Sequence, residues 1–433
     1  ALRFALDPNS QQRRDLARHA GASRYAYNWG LEREKASLNA LKAGDSTVPM
    51  PTAMGQHKEW NSWKKGTDGV PWWKEVAKSA PQEAFRDLER GMRAFWESRA
   101  GKRPGPKIHF PRFKKKGRCR DSFRLTGSIH LHSSCVTLPR IGTVRTLEDA
   151  SRWVERMAQG CVRVTSATVS READRWFVSL AVEVERALPA HPAAGDTIGV
   201  DLGVLSLATL SDGTVIQGPK ALRRGLRQLR RLSRSHSRKT RGSHNRARAA
   251  RRLARHHAKV AHLRRDHLHK LTTRLAKTHG RIVVEDLNVK GMLGNRQLAR
   301  ALSDSGFSEF RRQLSYKCQW YGSELVVADR WYPSSKACSR CGTVKAELGL
   351  KERTYHCQSC GLVLDRDLNA AINLAGWAHP VVTASAAETL TACGADRKTG
   401  PRPAGGREAG TGIAPEPTGS IGGPQTHVAF VRV

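Results

Sequence analysis

The chain has 433 residues, and its 75 Lys and Arg against 38 Asp and Glu leave a formal net charge of +37. That length allows about two to four domains with a sizeable core, and the charge calls for a polyanionic partner. No run of about 18 apolar residues and no secretory signal supports a membrane, so nucleic acid is the expected polyanion, in a cytoplasmic, nucleoid-associated setting of prokaryotic type.

The chain begins at Ala1 without an initiator methionine, so a few N-terminal residues are expected to be missing. Residues 2–6 (LRFAL) read as a strand, and Asp7-Pro8-Asn9-Ser10 supplies the cap and first turn of a helix reaching about Ala43. Helical patterning dominates the first hundred residues. Pro81 opens a further helix with Phe85, Leu88, Met92 and Phe95 at helical spacing. Trp29, Trp60, Trp63, Trp72, Trp73 and Trp96 fall in this region, where core packing is favoured over base stacking. Next, KRPGPKIHFPRFKKKGRCRDSFRL interleaves Lys114, Lys115 and Arg124 with Phe110, Phe113 and Phe123. Cations for phosphates and rings for bases would make a nucleic-acid surface; a solvated basic loop is an equal alternative. From Ser122 to Glu185, alternating segments predict antiparallel strands or a small barrel, closed by a linker at 191–195.

TIGVDLGVLSLATLSDGTVIQG reads as a hairpin of two strands about an SDG turn, with Asp201 inside the first strand. Between Pro219 and Arg281, 22 Lys and Arg face a single acid, Asp266, giving +21 in 63 residues. Leu222, Leu226 and Leu229 space one helix, Gly242-Ser243 breaks it, and Leu253, Val260, Leu268, Leu271 and Leu275 stripe a second. Charges this dense repel one another within the ~8 Å screening length, and a phosphate backbone would relieve them. Arg251, Arg252 and Arg255 are candidate contacts. GRIVVEDLNV then predicts a buried strand ending in Glu285 and Asp286, and GSELVVADRWYP another ending near Asp329. Residues 378–433, with thirteen Gly or Pro in the 31 residues 396–426, are expected to be disordered.

Cys338-x2-Cys341-x15-Cys357-x2-Cys360 has the spacing of a zinc ribbon, two turns each presenting two thiolates to one tetrahedral ion. Four thiolates close the coordination sphere, so the zinc is expected to be structural. Gly342 and Gly361 follow the second cysteine of each pair, where a tight turn often needs positive φ. His356 is expected at the surface, and Cys119, Cys135, Cys161, Cys318 and Cys393 are expected to be inert thiols.

Three carboxylates stand where packing disfavours them: Asp201 in IGVDLG, Glu285 at the end of IVVED, and Asp367 at the start of the helix DLNAAINLA. Burying a carboxylate is costly unless it is paired or binds a cation. In this order they suit an RNase H-like nuclease core, in which two Mg²⁺ or Mn²⁺ ions ~3.5–4 Å apart activate water and stabilise the leaving oxygen. Each alone has a plainer reading, as a turn acid, a strand end or an N-cap. Asp286 and Asp365 compete with their neighbours; Asp367 is preferred because it begins the AAIN helix directly.

GVDLGV, VVEDLNVKGM, YPSSKACSRCG and CGLVLDRDLNAAINLA, together with LRFALDPNSQQ, RYAYNWGL and FPRFKKKGRCRDSFRL, resemble the TnpB family of transposon-encoded proteins, over residues 1 to about 377. The resemblance implies an α+β multidomain protein. It would comprise a first wedge strand (1–10), a helical recognition lobe (11–105), a β-barrel wedge domain (106–194), a RuvC-like core (195–332) with its basic hairpin (219–281), a zinc ribbon (333–362) and a last helix (363–377). It implies an endonuclease guided by RNA from the transposon end, cutting double-stranded DNA beside a short adjacent motif, with Asp201, Glu285 and Asp367 as the triad and the four cysteines on zinc. Lys78 and Gln82 would be candidates for reading that motif, and transposition itself would need a separate transposase or an indirect role through cutting and repair. A non-cutting RNA-guided regulator and an RNA-independent RuvC-like nuclease are the alternatives.

Overall fold

The computed structural model describes residues 1–67, 69–184, 195–349, 352–377 and 431–432. Most of the 191–195 linker, nearly all of the Gly- and Pro-rich tail, and Cys393 lie outside them. Among the described residues no helix is long and apolar enough to cross a membrane.

The chain opens with strand β1 (Leu2–Asp7) and helix α1 (Ser10–Lys42). Asn9 caps α1: its side chain accepts from the Gln12 N–H at 2.8 Å while the Gln12 side chain accepts from the Asn9 N–H at 3.0 Å. This reciprocal pair satisfies two otherwise orphaned donors. Helices α2 (Ala53–Trp63) and α3 (Ser79–Arg99) pack on α1 through Trp29, Leu31, Trp60, Phe85 and Leu88. Trp29 and Trp60 are thus core residues, while Trp96 is 44% exposed. The third helix starts two residues before Pro81, its expected first residue.

An antiparallel sheet follows: β2 (Ser122–Leu125), β3 (His130–Leu131), β4 (Cys135–Leu138), β5 (Gly142–Thr146), then α4 (Ser151–Ala158), β6 (Val162–Glu172) and β7 (Arg175–Val184). The helix α4 interrupts what the sequence suggested was strand throughout. Strand β1 lies in the middle of this sheet, Phe4 opposite Val178 and Leu6 opposite Thr146, in the order β2-β6-β7-β1-β5-β4-β3. All these strands contribute to one core, with Phe4, Leu125, Leu131, Leu138, Val144 and Leu180 among its residues. The helical unit α1–α3 is therefore an insertion between the first and second strands of the sheet. Phe123 is buried in that core and Phe110 packs against the helical unit. Phe123 is therefore not free to stack on a base, which corrects the reading of three rings in this segment, while Phe110 is half-buried and Phe113 is 41% exposed, beneath the Lys35 ammonium.

The second half builds a mixed sheet. It comprises β8 (Thr197–Asp201), β9 (Ala208–Leu210) and β10 (Val215–Ile216), helices α5 (Ala221–Ser237) and α6 (His244–Thr278), β11 (Arg281–Glu285), α7 (Val289–Met292), α8 (Ala299–Ser305), α9 (Phe307–Tyr321) and β12 (Glu324–Ala328). The expected two-strand hairpin is three strands: β8 pairs with β9, and the SDG turn joins β9 to β10. The bend at 202–207 is long because the chain must reverse before Leu207 and Ala208 re-enter the core. Strand order is β10-β9-β8-β11-β12, with β8, β11 and β12 parallel. Gly242 takes φ +84° between α5 and α6, and Ser243 caps α6, as the break in the leucine pattern required.

After β12 come β13 (Thr354–His356), β14 (Val363–Asp365) and α10 (Arg366–Ala375). Helices α6 and α9 cover one face of the mixed sheet through Leu271, Leu275, Phe310 and Leu314 on Ile198, Val200, Ile282 and Val284. Leu374 of α10 covers the other face, against Val283, Val326 and Ala328. The protein is thus α+β, with helices on both faces of its second sheet.

Candidate functional site

Strand parity brings the first two carboxylates together. Ile282 and Val284 face α6 and α9 while Val283 faces α10, so Glu285 belongs to the α10 side. Gly199 is on the same side of β8, where an added Cβ would lie 2.0 Å from the Ala371 carbonyl oxygen of α10. Asp201, two residues on, therefore also faces α10. Val283 pairs directly with Gly199, which puts Glu285 level with Asp201 across adjacent parallel strands. Only a glycine lets the α10 backbone sit this close to the strand, and that approach brings Asp367, in the first turn of α10, to the strand ends.

Burial, then the negative charges of Glu285 and Asp367, push the Asp201 carboxyl up to about 8. Arg366 opposes the shift and Asp365 adds to it. Such a cluster has more negative charge than its surroundings compensate, and its donors are all hard oxygens, the set that suits Mg²⁺ or Mn²⁺. Asp365 is the N-cap of α10: its Oδ1 accepts from the N–H groups of Asp367 and Leu368, both at 3.0 Å. Asp286 turns away to Arg311 and Arg330, which hold its carboxyl below the usual range.

Several contributors were not evident from sequence. The buried Ser334 hydroxyl donates to Glu285 Oε1. Arg353 reaches Asp367 at 3.9 Å. Asn369 donates to the Ala337 carbonyl at 2.7 Å and accepts from the Ser339 N–H at 3.0 Å, and Asn373 donates to the Ser334 and Ala337 carbonyls, each at 2.7 Å. Two asparagines four apart on an otherwise apolar helix were the available signal, since such a pair lies on one face and needs partners when buried.

Those carbonyls and N–H groups belong to the turn that opens the cysteine cluster. Sγ atoms of Cys338, Cys341, Cys357 and Cys360 all lie within 4.8 Å of one another, with Cys338 to Cys360 at 3.6 Å and Cys341 to Cys357 at 3.5 Å. Tetrahedral zinc at ~2.3 Å from each sulfur needs separations of about 3.8 Å, so the cluster fits a structural zinc site. Gly342 and Gly361 have φ of +77° and +72°, and His356 is exposed and outside the cluster. The second cysteine pair lies between β13 and β14, whose pairing continues past residue 362 to Asp365, so the cysteine unit runs directly into the cap of α10.

The basic candidates divide. Lys78 and Gln82 line a groove of about 870 Å³ between the helical unit and the first sheet, with Lys64, Trp73, Lys74 and Arg140. Lys115, Arg251 and Arg252 are exposed. By contrast Lys114 lies over the Tyr27 ring at 3.7 Å, and burial lowers its pKa. Arg124 bonds Thr168 and lies 3.8 Å from Glu83. Arg255 is held by Asp174 at 2.8 Å. These three have structural partners within the chain, which sequence alone could not reveal because every partner is more than 35 residues away.

Family models match residues 1–41 ("Helix-turn-helix domain"), 179–296 ("Probable transposase") and 307–374 ("Cas12f1-like, TNB domain"). The first of these segments is one strand and one continuous helix. The chain is 44% identical to a protein of Mycobacterium tuberculosis, with 94% of this chain and 93% of the relative covered, and 34% identical to InsQ of Escherichia coli K12, with 88% and 93% covered. Both bear the name "Putative RNA-guided DNA endonuclease". A cryo-EM structure of a Cas12f1–sgRNA–target DNA complex aligns with a TM-score of 0.51 at 16% identity, over 84% of this chain and 82% of that one, a likeness of fold.

Proposed function

Because the chain belongs to the TnpB family of transposon-encoded proteins, we propose that it is an RNA-guided DNA endonuclease whose chemistry is carried by Asp201, Glu285 and Asp367. The observation behind this reading is the convergence of three carboxylates from β8, β11 and α10, two of them level across a parallel strand pair and one pushed to a pKa of about 8 by burial and its neighbours. The strand order β10-β9-β8-β11-β12, with the first hairpin antiparallel and the rest parallel, suits an RNase H-like core of RuvC type.

In this role Asp201, Glu285 and Asp367 would together hold the two cations. Bound there, two Mg²⁺ or Mn²⁺ ions would activate a water and stabilise the leaving oxygen of a phosphodiester. Ser334 fixes the Glu285 carboxylate by its hydrogen bond, leaving the second oxygen for coordination. Asn369 and Asn373 tie the cysteine unit to α10, so a zinc ribbon there would hold Asp367 in position as well as present DNA. The first sheet acts as the wedge and α1–α3 as the recognition lobe. The groove between them, with Lys78 and Gln82, would read the adjacent motif: Gln can bond an adenine edge and Lys a phosphate. The exposed Arg251 and Arg252 of the +21 hairpin would meet guide RNA or heteroduplex backbone.

The test is the purified protein with its copurified RNA, assayed on matching duplex DNA in Mg²⁺. Asp201→Ala is expected to retain target binding and lose cleavage. Cleavage by Asp201→Ala at the parent rate would sink the triad; tight binding without cleavage by the parent would favour a regulator; RNA-free activity would remove the guide.

A further inference from the structure

We propose that Trp331 is a stacking platform for one nucleobase of the DNA strand presented to the carboxylate cluster, and so positions that strand for cleavage; the inference rests on the nuclease reading above. Trp331 is 85% exposed, more than any other large hydrophobic side chain among the described residues. Leaving an indole in water is unfavourable, and mobile or irregular loops are where that usually happens. This loop, though irregular, is pinned by hydrogen bonds at several points. Arg330 donates to the Asp286 carboxylate at 2.5 Å and to its backbone carbonyl at 3.2 Å. The Trp331 N–H donates to Asp329 at 2.8 Å, Tyr332 Oη donates to the Asn373 carbonyl at 3.2 Å, and Ser334 donates to Glu285.

Residues on both sides of Trp331 are therefore anchored to the strand end that bears Glu285 and to the helix that bears Asp367, while the indole itself projects into solvent. The tie points are one residue before it and one and three after, which leaves the backbone that carries the ring little freedom to move away from the cluster. Its chain neighbour Arg330 lines, with Glu285, a groove of about 740 Å³ that also includes Lys290, Arg311 and Tyr316. Cations for the backbone and one fixed aromatic face are what a single strand needs, and a base of any identity can stack. A duplex offers no free base face, so the feature selects an unpaired strand. Trp331 is a positioning residue: it touches the substrate's base and leaves the reacting phosphate to the carboxylates.

The full-length protein with its copurified RNA would be compared with Trp331→Ala and Trp331→Phe. Alanine substitution of a stacking aromatic costs ~1–3 kcal/mol, a five- to hundredfold effect. Trp331→Ala is expected to slow cleavage of single-stranded and duplex target by at least about fivefold, with duplex binding unchanged, and Trp331→Phe to recover most of the rate. A single strand carrying 2-aminopurine is expected to be quenched by the parent and much less by Trp331→Ala. This readout needs no catalysis, so it still tests the platform if the parent proves not to cut. Unchanged cleavage and quenching in Trp331→Ala would overturn the proposal. So would a loss shared equally by Trp331→Phe, a drop in Tm or zinc content, or a change in oligomeric mass, each of which assigns the indole to folding or to a protein partner.

Discussion

The cysteine cluster and the carboxylate cluster lie seven residues apart at their nearest, Cys360 and Asp367, yet they are built in opposite ways. The four thiolates come from 23 consecutive residues and are brought together by two tight turns, each ending in a glycine of positive φ. The three carboxylates come from positions spread over 167 residues and meet only because two parallel strands are in register and a helix lies against one of them. A local cluster needs an ion to order it; a distant one is ordered by the fold. The asparagines of α10 join the two, so disturbing either should reach the other by a different route.

The largest effect is expected from zinc. Among the described residues, only Tyr355 and two of the cysteines are well buried in the small core of the cysteine unit, and a structural site of this kind contributes about 10–16 kcal/mol of binding free energy to folding. Chelation is expected to raise hydrogen exchange through residues 338–349 and 352–367 and to stop cleavage, while β8, β11 and β12 stay protected. Unchanged exchange in the cysteine unit would mean that it folds without the ion.

Gly199→Ala tests the other cluster. A Cβ at 2.0 Å from the Ala371 oxygen must push α10 off β8, and overpacking of this kind costs ~1–3 kcal/mol or more. Tm and cleavage should both fall, with zinc content retained. A parent-like Tm would show that α10 can sit further out without penalty.

Protons should have the smallest effect. Asp201 is raised from 3.8 to about 8 in the folded protein. Between those values the folded state keeps a proton that the unfolded chain has lost. Without divalent ions, stability is therefore expected to fall as pH rises from about 4 to about 8. Mg²⁺ should restore it most at the upper end, because it takes the proton's place among the carboxylates. Thermal unfolding in chelator at pH 5 and pH 8, with and without excess Mg²⁺, measures this; greater metal-free stability at pH 8 would contradict the shift assigned to Asp201.

Much of this was readable from the chain. Apolar strands interrupted by Asp201 and ended by Glu285 announced themselves because a carboxylate among valines is costly to bury without a partner or a cation. The cysteine spacing did so because two turns fix four sulfurs without help from elsewhere. The capping box at Asn9 and the break at Gly242-Ser243 are equally local. What could not be read is what depends on remote partners. The sheet closes over Phe123 and Asp174 meets Arg255, each through partners that no local pattern announces, and Asp365 caps α10 beside Asp367. The split of one expected hairpin into three strands has the same origin, since only packing on the core decides where Leu207 and Ala208 turn inward.

Sequence by itself determined the donor types, the main strands and helices and the charge, because periodicity, turn chemistry and cysteine spacing act over a few residues. Tertiary structure alone decided that β1 closes the first sheet from its middle, that Glu285 is level with Asp201, and that α10 can approach β8 at Gly199. The physical reason is range: strand register and backbone-to-backbone contact are set by partners 84 to 178 residues away, and no local pattern in the chain records them.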